Sequence, residues 1–548
     1  MTTPSARLSN SIAKSLEPEG RLVGSDSSCP DCGFTSTERP ALPGLAPSRM
    51  AELFSSNDPP IDPIELATLE AIVRDGDGYL SVLQQRIFAT RETLEALLKE
   101  QGQQVKRVAD AKALLNPVRE LPQDVLIEIF TACIPNRIEI AVSNEFDCLD
   151  TKSAPWVLSQ VCASWRCTAL ATAKLWSCIG LSMDRYANHT KYVFRFGILL
   201  ARSGSHPLMV SICATADIAR HALLAMILPT SSRWISLSVT ALLCSFVLFN
   251  NISHSLPLLE FLGIHATTFG APLENSRAVW GFQHAPRLQR LLIEVLGIIV
   301  TEPFLFSRQF ILPEDSRELS RLFALTTPLD AAYLLQWHGA RNVENSRLWI
   351  VGTPISEQGF VVPMIRHACL RDLTVTETAS RGRPGSSAKL ISQLQLPILQ
   401  ILTLSYKNQP AIMPVIRQGT VPALTHLHLL AAGLAIDGNA VVEMLKWTPE
   451  LTYLKLVFNF KTADIFIALG TVNDDEAFEL IPRLHTLFLT GAQFDFKDHD
   501  SIITEMVVAR RELVEEASLR VVYLNEGLGD GERWDRLRDD GLEICVAV

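Results

Sequence analysis

No stretch of this 548-residue chain supplies the roughly 20 consecutive apolar residues that a membrane span needs. The longest apolar run, Val239 to Phe249, is about half that length, and the run from Leu291 to Phe306 is interrupted by Glu294 and Glu302. The amino-terminal MTTPSARLSN lacks the apolar core of a secretory signal, and the eleven cysteines follow no regular framework. These absences point to reduced thiols, to a cytoplasmic or nuclear location, and away from membranes. Positive charge is also scarce. With 49 Lys and Arg against 59 Asp and Glu, the net charge of −10 argues against nonspecific nucleic-acid binding but leaves room for a local basic patch. Missing too are the P-loop, GxSxG, HExxH and dinucleotide fingerprints. The expectation is a protein that is not an enzyme and needs no cofactor.

What the chain does have is 48% hydrophobic content, ample for burial. Residues 1–60, rich in Ser, Pro and Gly, read as a disordered tail. The tail contains Cys29-Pro30-Asp31-Cys32, but a structural zinc site needs a second pair and the next cysteine is Cys133, so two free thiols are expected. From residue 64 to 115 the pattern becomes a heptad, with Leu66, Leu69, Val73, Leu80, Leu83, Ile87, Leu94, Leu97, Val108 and Leu115 along one seam. Gly76-Asp77-Gly78 predicts a break or kink within it. Two readings stay open: a coiled coil that forms a homodimer, and a helix folded back as an antiparallel hairpin.

After Asn116-Pro117 comes PVRELPQDVLIEIF (117–130), in which Pro122 suits the first turn of a helix and Val125, Leu126, Ile129 and Phe130 make one apolar face. A polar loop follows, roughly residues 133–154. Then APWVLSQVCASWRCTALATAKLWSCIGL (154–181) carries a second stripe through Leu158, Val161, Cys162, Trp165 and Ala169, with Leu175 and Trp176 beyond. A unit this small cannot bury both stripes alone, and exposed apolar residues on a small bundle mark a partner surface.

LPxDVLxEIF, then LSQVCxSWRxxA, then LW resembles the F-box, in the variant common among mushroom-type fungal F-box-like proteins. That variant has a coiled-coil-like helix before the box and a long loop between its first two helices, as here. The family usually places a Pro before LW; Ala173 and Lys174 stand there instead. The resemblance implies docking to a Skp-family adaptor through Leu121, Pro122, Val125, Leu126, Ile129, Leu158, Val161 and Trp165. It also implies attachment, through that adaptor, to a cullin–RING ubiquitin ligase.

Beyond residue 200 a template P-x-L-x-x-L-x-L recurs at 257–264, 286–293, 397–404, 422–429, 449–456 and 482–489, with looser copies at 232–239, 317–325, 343–350, 368–375 and 517–524. Starts about 25 to 35 residues apart fit leucine-rich repeats, each strand followed by a helical crossover. The template apolars should point inward, leaving the alternate positions on a concave face. Those positions hold Arg290, Leu292, Glu294, His426, His428, Tyr453, Lys455, Phe488, Tyr523 and Asn525, a mixture suited to binding a protein substrate. His426 and His428 lack a further metal ligand, so no metal is expected. RGRP (381–384) matches an AT-hook core but sits alone in a Gly/Ser loop and is read as a loop. Residues 533–546 read as a closing helix and strand that cap the array.

The expected fold is therefore α/β: a disordered tail (1–60), a coiled-coil-like helix (64–115), an all-α three-helix F-box (116–180), and a leucine-rich-repeat α/β horseshoe with a C-terminal cap (200–548). The expected function is substrate recognition for a Skp–cullin–F-box ubiquitin ligase. The alternative is a scaffold or interaction protein that uses the F-box and coiled coil without ubiquitination. An enzyme on a repeat scaffold is disfavoured, because no nucleophile or metal motif is present.

Overall fold

A computed structural model describes residues 44–56, 59–136, 139, 146–186, 190–252, 256–268, 278–297, 309–351, 363–378, 385–407, 412–460, 463–473, 477–490, 500–512, 519–524 and 531–546. The chain divides into two compact units, Met1–Glu120 and Leu121–Val548. The Cys29–Cys32 pair, the 381–384 tetrapeptide and Asn525 lie outside the described residues.

In the first unit, α1 (Pro47–Ser56) precedes α2 (Pro63–Leu114), a single helix of 52 residues. The helix α1 corrects the expectation of disorder through residue 60. Arg49 on α1 pairs with Glu52 at 3.0 Å and with Glu65 of α2 at 2.8 Å. Asp62 caps α2 by accepting from the Ile64 N–H at 2.9 Å, and Pro63 occupies the first position, where a missing N–H costs nothing. The break expected at Gly76-Asp77-Gly78 does not occur. Two glycines cost about 2 kcal/mol relative to Ala, whereas stopping there would forfeit several hydrogen bonds and require a second nucleation. A hairpin turning at 76–78 is therefore not formed. No residue of α2 is buried, and Ile87, Leu94 and Leu97 are each more than half exposed.

The second unit is built on one parallel sheet of fourteen strands, neighbours in space following sequence order. They are β1 (Cys178–Ser182), β2 (Leu208–Cys213), β3 (Trp234–Leu242), β4 (Phe261–Thr268), β5 (Arg290–Gly297), β6 (Arg321–Thr326), β7 (Asn345–Val351), β8 (Asp372–Thr378), β9 (Ile401–Lys407), β10 (His426–Ile436), β11 (Tyr453–Phe460), β12 (Thr486–Thr490), β13 (Val521–Leu524) and β14 (Glu543–Val546). The order runs from β1 to β14 without closing into a barrel. A separate two-stranded pairing joins Ile365–Arg366 to Leu394–Gln395.

The register explains why the template repeats. Leu237, Leu262, Leu291 and Leu322 are consecutive Cα partners, as are Leu373, Leu402, Leu427, Leu454 and Leu487. All are buried, because alternate side chains along a strand share a face and stacked strands align those faces. The copy at 343–350 is displaced by two residues from its expected frame. Register places Ser346 between Leu322 and Leu373 and puts Leu348 beside Val375, with Val343 rather than Asn345 buried beneath. Three strands, β1, β2 and β14, belong to no copy of the template.

Helices precede the sheet and occupy its crossovers, and those at Pro328–Gln336 and Ser386–Ile391 pack directly against its strands. Among them are α3 (Gln123–Ala132), α4 (Ala154–Leu158), α5 (Ala163–Ala171) and α6 (Thr190–Arg202), followed by α7 (Ala222–Ile227), α8 (Pro328–Gln336), α9 (Ser386–Ile391), α10 (Gly438–Leu445), α11 (Asp464–Gly470), α12 (Asp500–Glu512) and α13 (Glu532–Asp539). Pro122 is the cap residue of α3, one position earlier than its expected place in the first turn. Helices α3 to α5 and the turn at Ala173–Trp176 pack together, and that turn packs on β1, so the helical segment and the sheet share one hydrophobic core. Gly180 permits this junction: a Cβ there would collide with the Phe146 carbonyl, and Cys148 N–H donates to the Gly180 carbonyl at 3.0 Å.

Candidate functional site

The first candidate surface is formed by α3, α4 and α5. Its interior is aromatic: Phe130 meets Trp165 edge-on at 4.9 Å, and Trp156 meets Trp176 at 5.1 Å. The two buried indoles are satisfied, Trp156 donating to the Cys148 carbonyl and Trp176 to the Ala169 carbonyl, each at 2.8 Å. The guanidinium of Arg202 lies over both rings, at 5.2 and 4.4 Å. Desolvation lowers its pKa.

This packing sorts the eight residues read as adaptor-binding. Leu126 and Leu158 are buried in the core, and Leu121 and Trp165 are half-buried against it. Pro122 is exposed, and Val125, Ile129 and Val161 stand out at 40%, 42% and 56% exposure. Three aliphatic side chains are thus left open to solvent, while the leucines beneath are buried in the core. On α3, Val125 and Ile129 stand one turn apart, and exposed aliphatics grouped on one helix face are characteristic of a contact surface.

The second candidate is the open face of the sheet, where the alternate residues emerge. Of the ten residues read as concave-face positions, the nine that are described lie on it and are half-buried. Six of them form one continuous patch. The His426 ring stacks on Tyr453 at 5.3 Å, and His428 meets the same ring edge-on at 5.3 Å. Thr403 Oγ1 lies 3.1 Å from His428 Nδ1, and Thr425 Oγ1 lies 2.9 Å from His426 Nδ1. Lys455 Nζ sits 4.0 Å above Phe488, which in turn packs on Tyr523 at 5.2 Å.

Burial, with help from Lys455 and His426, lowers the pKa of His428 to about 4; burial alone lowers that of His426. Both imidazoles are neutral at pH 7, so Lys455 is the patch's cation. No group of three or more His, Cys, Asp or Glu able to hold a metal occurs among the described residues.

The other three, Arg290, Leu292 and Glu294, lie apart on β5. Glu294 is engaged by His265 at 2.7 Å. Arg290 instead faces a group that the sequence reading passed over: Arg321 on β6, and Phe323, Arg347, Trp349 and Lys407 beyond it. Arg321 and Phe323 fell in a looser copy of the template, Arg347 and Trp349 in the one displaced by two residues, and Lys407 beyond the end of the copy at 397–404. Only strand register shows that they share a face.

No helix among the described residues is long and apolar enough to cross a membrane. No family model and no curated protein matches this chain.

Proposed function

We propose that the chain is a non-catalytic receptor of the F-box type. Residues 116–180 dock a Skp-family adaptor, and the parallel sheet is a leucine-rich-repeat array whose open face holds a protein substrate. Ubiquitin is then transferred by other subunits of a cullin–RING ligase in the cytoplasm or nucleus. The receptor's own contribution is proximity, since a tethered lysine meets the charged ubiquitin carrier at high effective concentration.

The observation that carries this reading is the split of the apolar stripe on α3 and the segment after α4. Leu126, Phe130 and Leu158 are buried, yet Val125, Ile129 and Val161 are left uncovered on a helical cluster whose sequence resembles the F-box. The one-strand-per-repeat sheet and its stacked leucines support the second half of the proposal. The exposed apolar seam of α2 supports self-association of two copies through residues 64–115.

The test is capture of a purified Skp-type adaptor and its cullin by the full chain. Val125→Asp/Ile129→Asp should abolish capture without lowering the melting temperature, whereas Leu126→Ala should destabilise the fold. Unchanged capture by the first variant would overturn the docking assignment. Capture of adaptor without cullin would favour the second reading, a scaffold that works without ubiquitination.

A further inference from the structure

Three arginines crowd one part of the open sheet face. Arg290 and Arg321 are direct partners on adjacent strands, and Arg347 is the direct partner of Phe323, one strand across and two residues along from Arg321. Neighbouring strands lie about 4.8 Å apart, so Arg290 and Arg321 stand side by side. Arg290 is half-buried, and Arg321 and Arg347 are exposed. Like charges directly opposite on a sheet destabilise it. Among the described residues neither Arg290 nor Arg321 makes an ion pair or a hydrogen bond through its side chain. On the same face Glu294 is taken by His265, and Asp372 interacts with Arg347.

The surroundings narrow the chemistry. Phe323 and Trp349 lie 6.1 Å apart beside Arg347, and Lys407 Nζ sits 4.8 Å above Trp349. Four cations and two aromatic rings thus meet on strands β5 to β9 of a chain whose net charge is −10. Two adjacent guanidiniums offer more donors and charge than one carboxylate can balance. A phosphate monoester, with three acceptor oxygens and close to two negative charges, can take a bidentate pair from each.

We propose that Arg290, Arg321 and Arg347 bind a phosphoserine or phosphothreonine, with Phe323 and Trp349 receiving the peptide side chains that flank it. The proposal refines the receptor reading by making the held protein a phosphoprotein. A peptide fits better than a nucleic acid because the cations stop short. Along the row of Arg347 the next positions are Thr374, Thr403 and His428, the last neutral at pH 7, so three uncharged positions separate Arg347 from the next cation in the row, Lys455. A nucleic-acid backbone repeats its charge at every nucleotide and would need the row to continue.

The test is fluorescence anisotropy with the full chain. The probes are an array of phosphoserine and phosphothreonine peptides, their unphosphorylated twins and a single-stranded oligoribonucleotide. Phosphorylated peptides should bind more tightly than their twins, and Arg290→Ala/Arg321→Ala should cost about 10- to 100-fold. Arg321→Lys should retain part of that affinity, and Arg321→Gln should hold or raise the melting temperature by relieving repulsion. No preference for phosphate, binding indifferent to Arg290→Ala/Arg321→Ala, or tighter binding of the oligoribonucleotide would each overturn the proposal. So would a lower melting temperature in both Arg321→Lys and Arg321→Gln, which would make the arginines structural. Adaptor capture by the same preparations, which should be unchanged, separates this failure from failure of the docking assignment.

Discussion

Single residues in the stacked ladders show how tightly the repeat is held. Ser346 sits between Leu322 and Leu373, and its buried hydroxyl has no hydrogen-bond partner among the described residues. A buried hydroxyl left unpaired costs about 1–3 kcal/mol, and Ala has almost the same volume without it. Ser346→Ala should therefore stabilise the protein by about 1 kcal/mol, read as a rise in the urea midpoint at constant slope.

His428 gives a prediction of the opposite kind. Its pKa of about 4 lies below the 6.5 of an exposed histidine, so between those values the unfolded chain binds the extra proton. The stability this contributes is complete above pH 6.5 and is lost as pH falls toward 4. After discounting for partial exposure, His428→Asn should remove about 2 kcal/mol of the loss between pH 7 and 4.5, measured from denaturant curves at each pH.

At the scale of elements, the sequence was legible wherever chemistry repeats at fixed spacing. Leu399, Leu402 and Leu404, or Leu451, Leu454 and Leu456, could be read as inward-facing from the template alone, and they are buried. Where the template degrades, the frame slipped by two residues, because at 343–350 Leu348 and Ile350 mimic the template pair whose true places are held by Ser346 and Leu348. The arginine group is not legible in the sequence, since its members come together only through strand register. Helix α2 is legible in the sequence as a seam but not as one unbroken rod, because the local cost of two glycines is outweighed by the cooperativity of a long helix, which no local pattern reveals. Its exposed seam leads to a direct expectation: the full chain should run as a dimer in light scattering, and Leu80→Asp/Leu94→Asp should return it to monomer.

Not every tie between elements could be read from spacing. Arg510 on α12 is fully buried and donates to the carbonyls of Leu469 at 2.7 Å, Leu480 at 2.7 Å and Ile481 at 3.0 Å. Ile481 is held there at φ 39°, a conformation L residues rarely adopt. Desolvation lowers the guanidinium's pKa to about 10, so it stays charged. Arg510→Met keeps the volume but strands three carbonyls, and should cost about 3–5 kcal/mol in denaturant unfolding.

Across the whole molecule, the helical segment 123–176 and the sheet share one core, so the segment that resembles an F-box is continuous with the array behind it rather than hung from a linker. Candidate adaptor contacts and candidate substrate contacts therefore belong to one folded unit, as delivery of a held protein to a fixed ligase requires. The central claim is that Val125, Ile129 and Val161 face a Skp-type adaptor. Titration calorimetry of the purified full chain with that adaptor tests it most directly. The account predicts a one-to-one complex of submicromolar affinity, weakened at least about 100-fold in a folded Val125→Asp/Ile129→Asp variant. Equal affinity in wild type and variant, or no binding by the wild type, would contradict it.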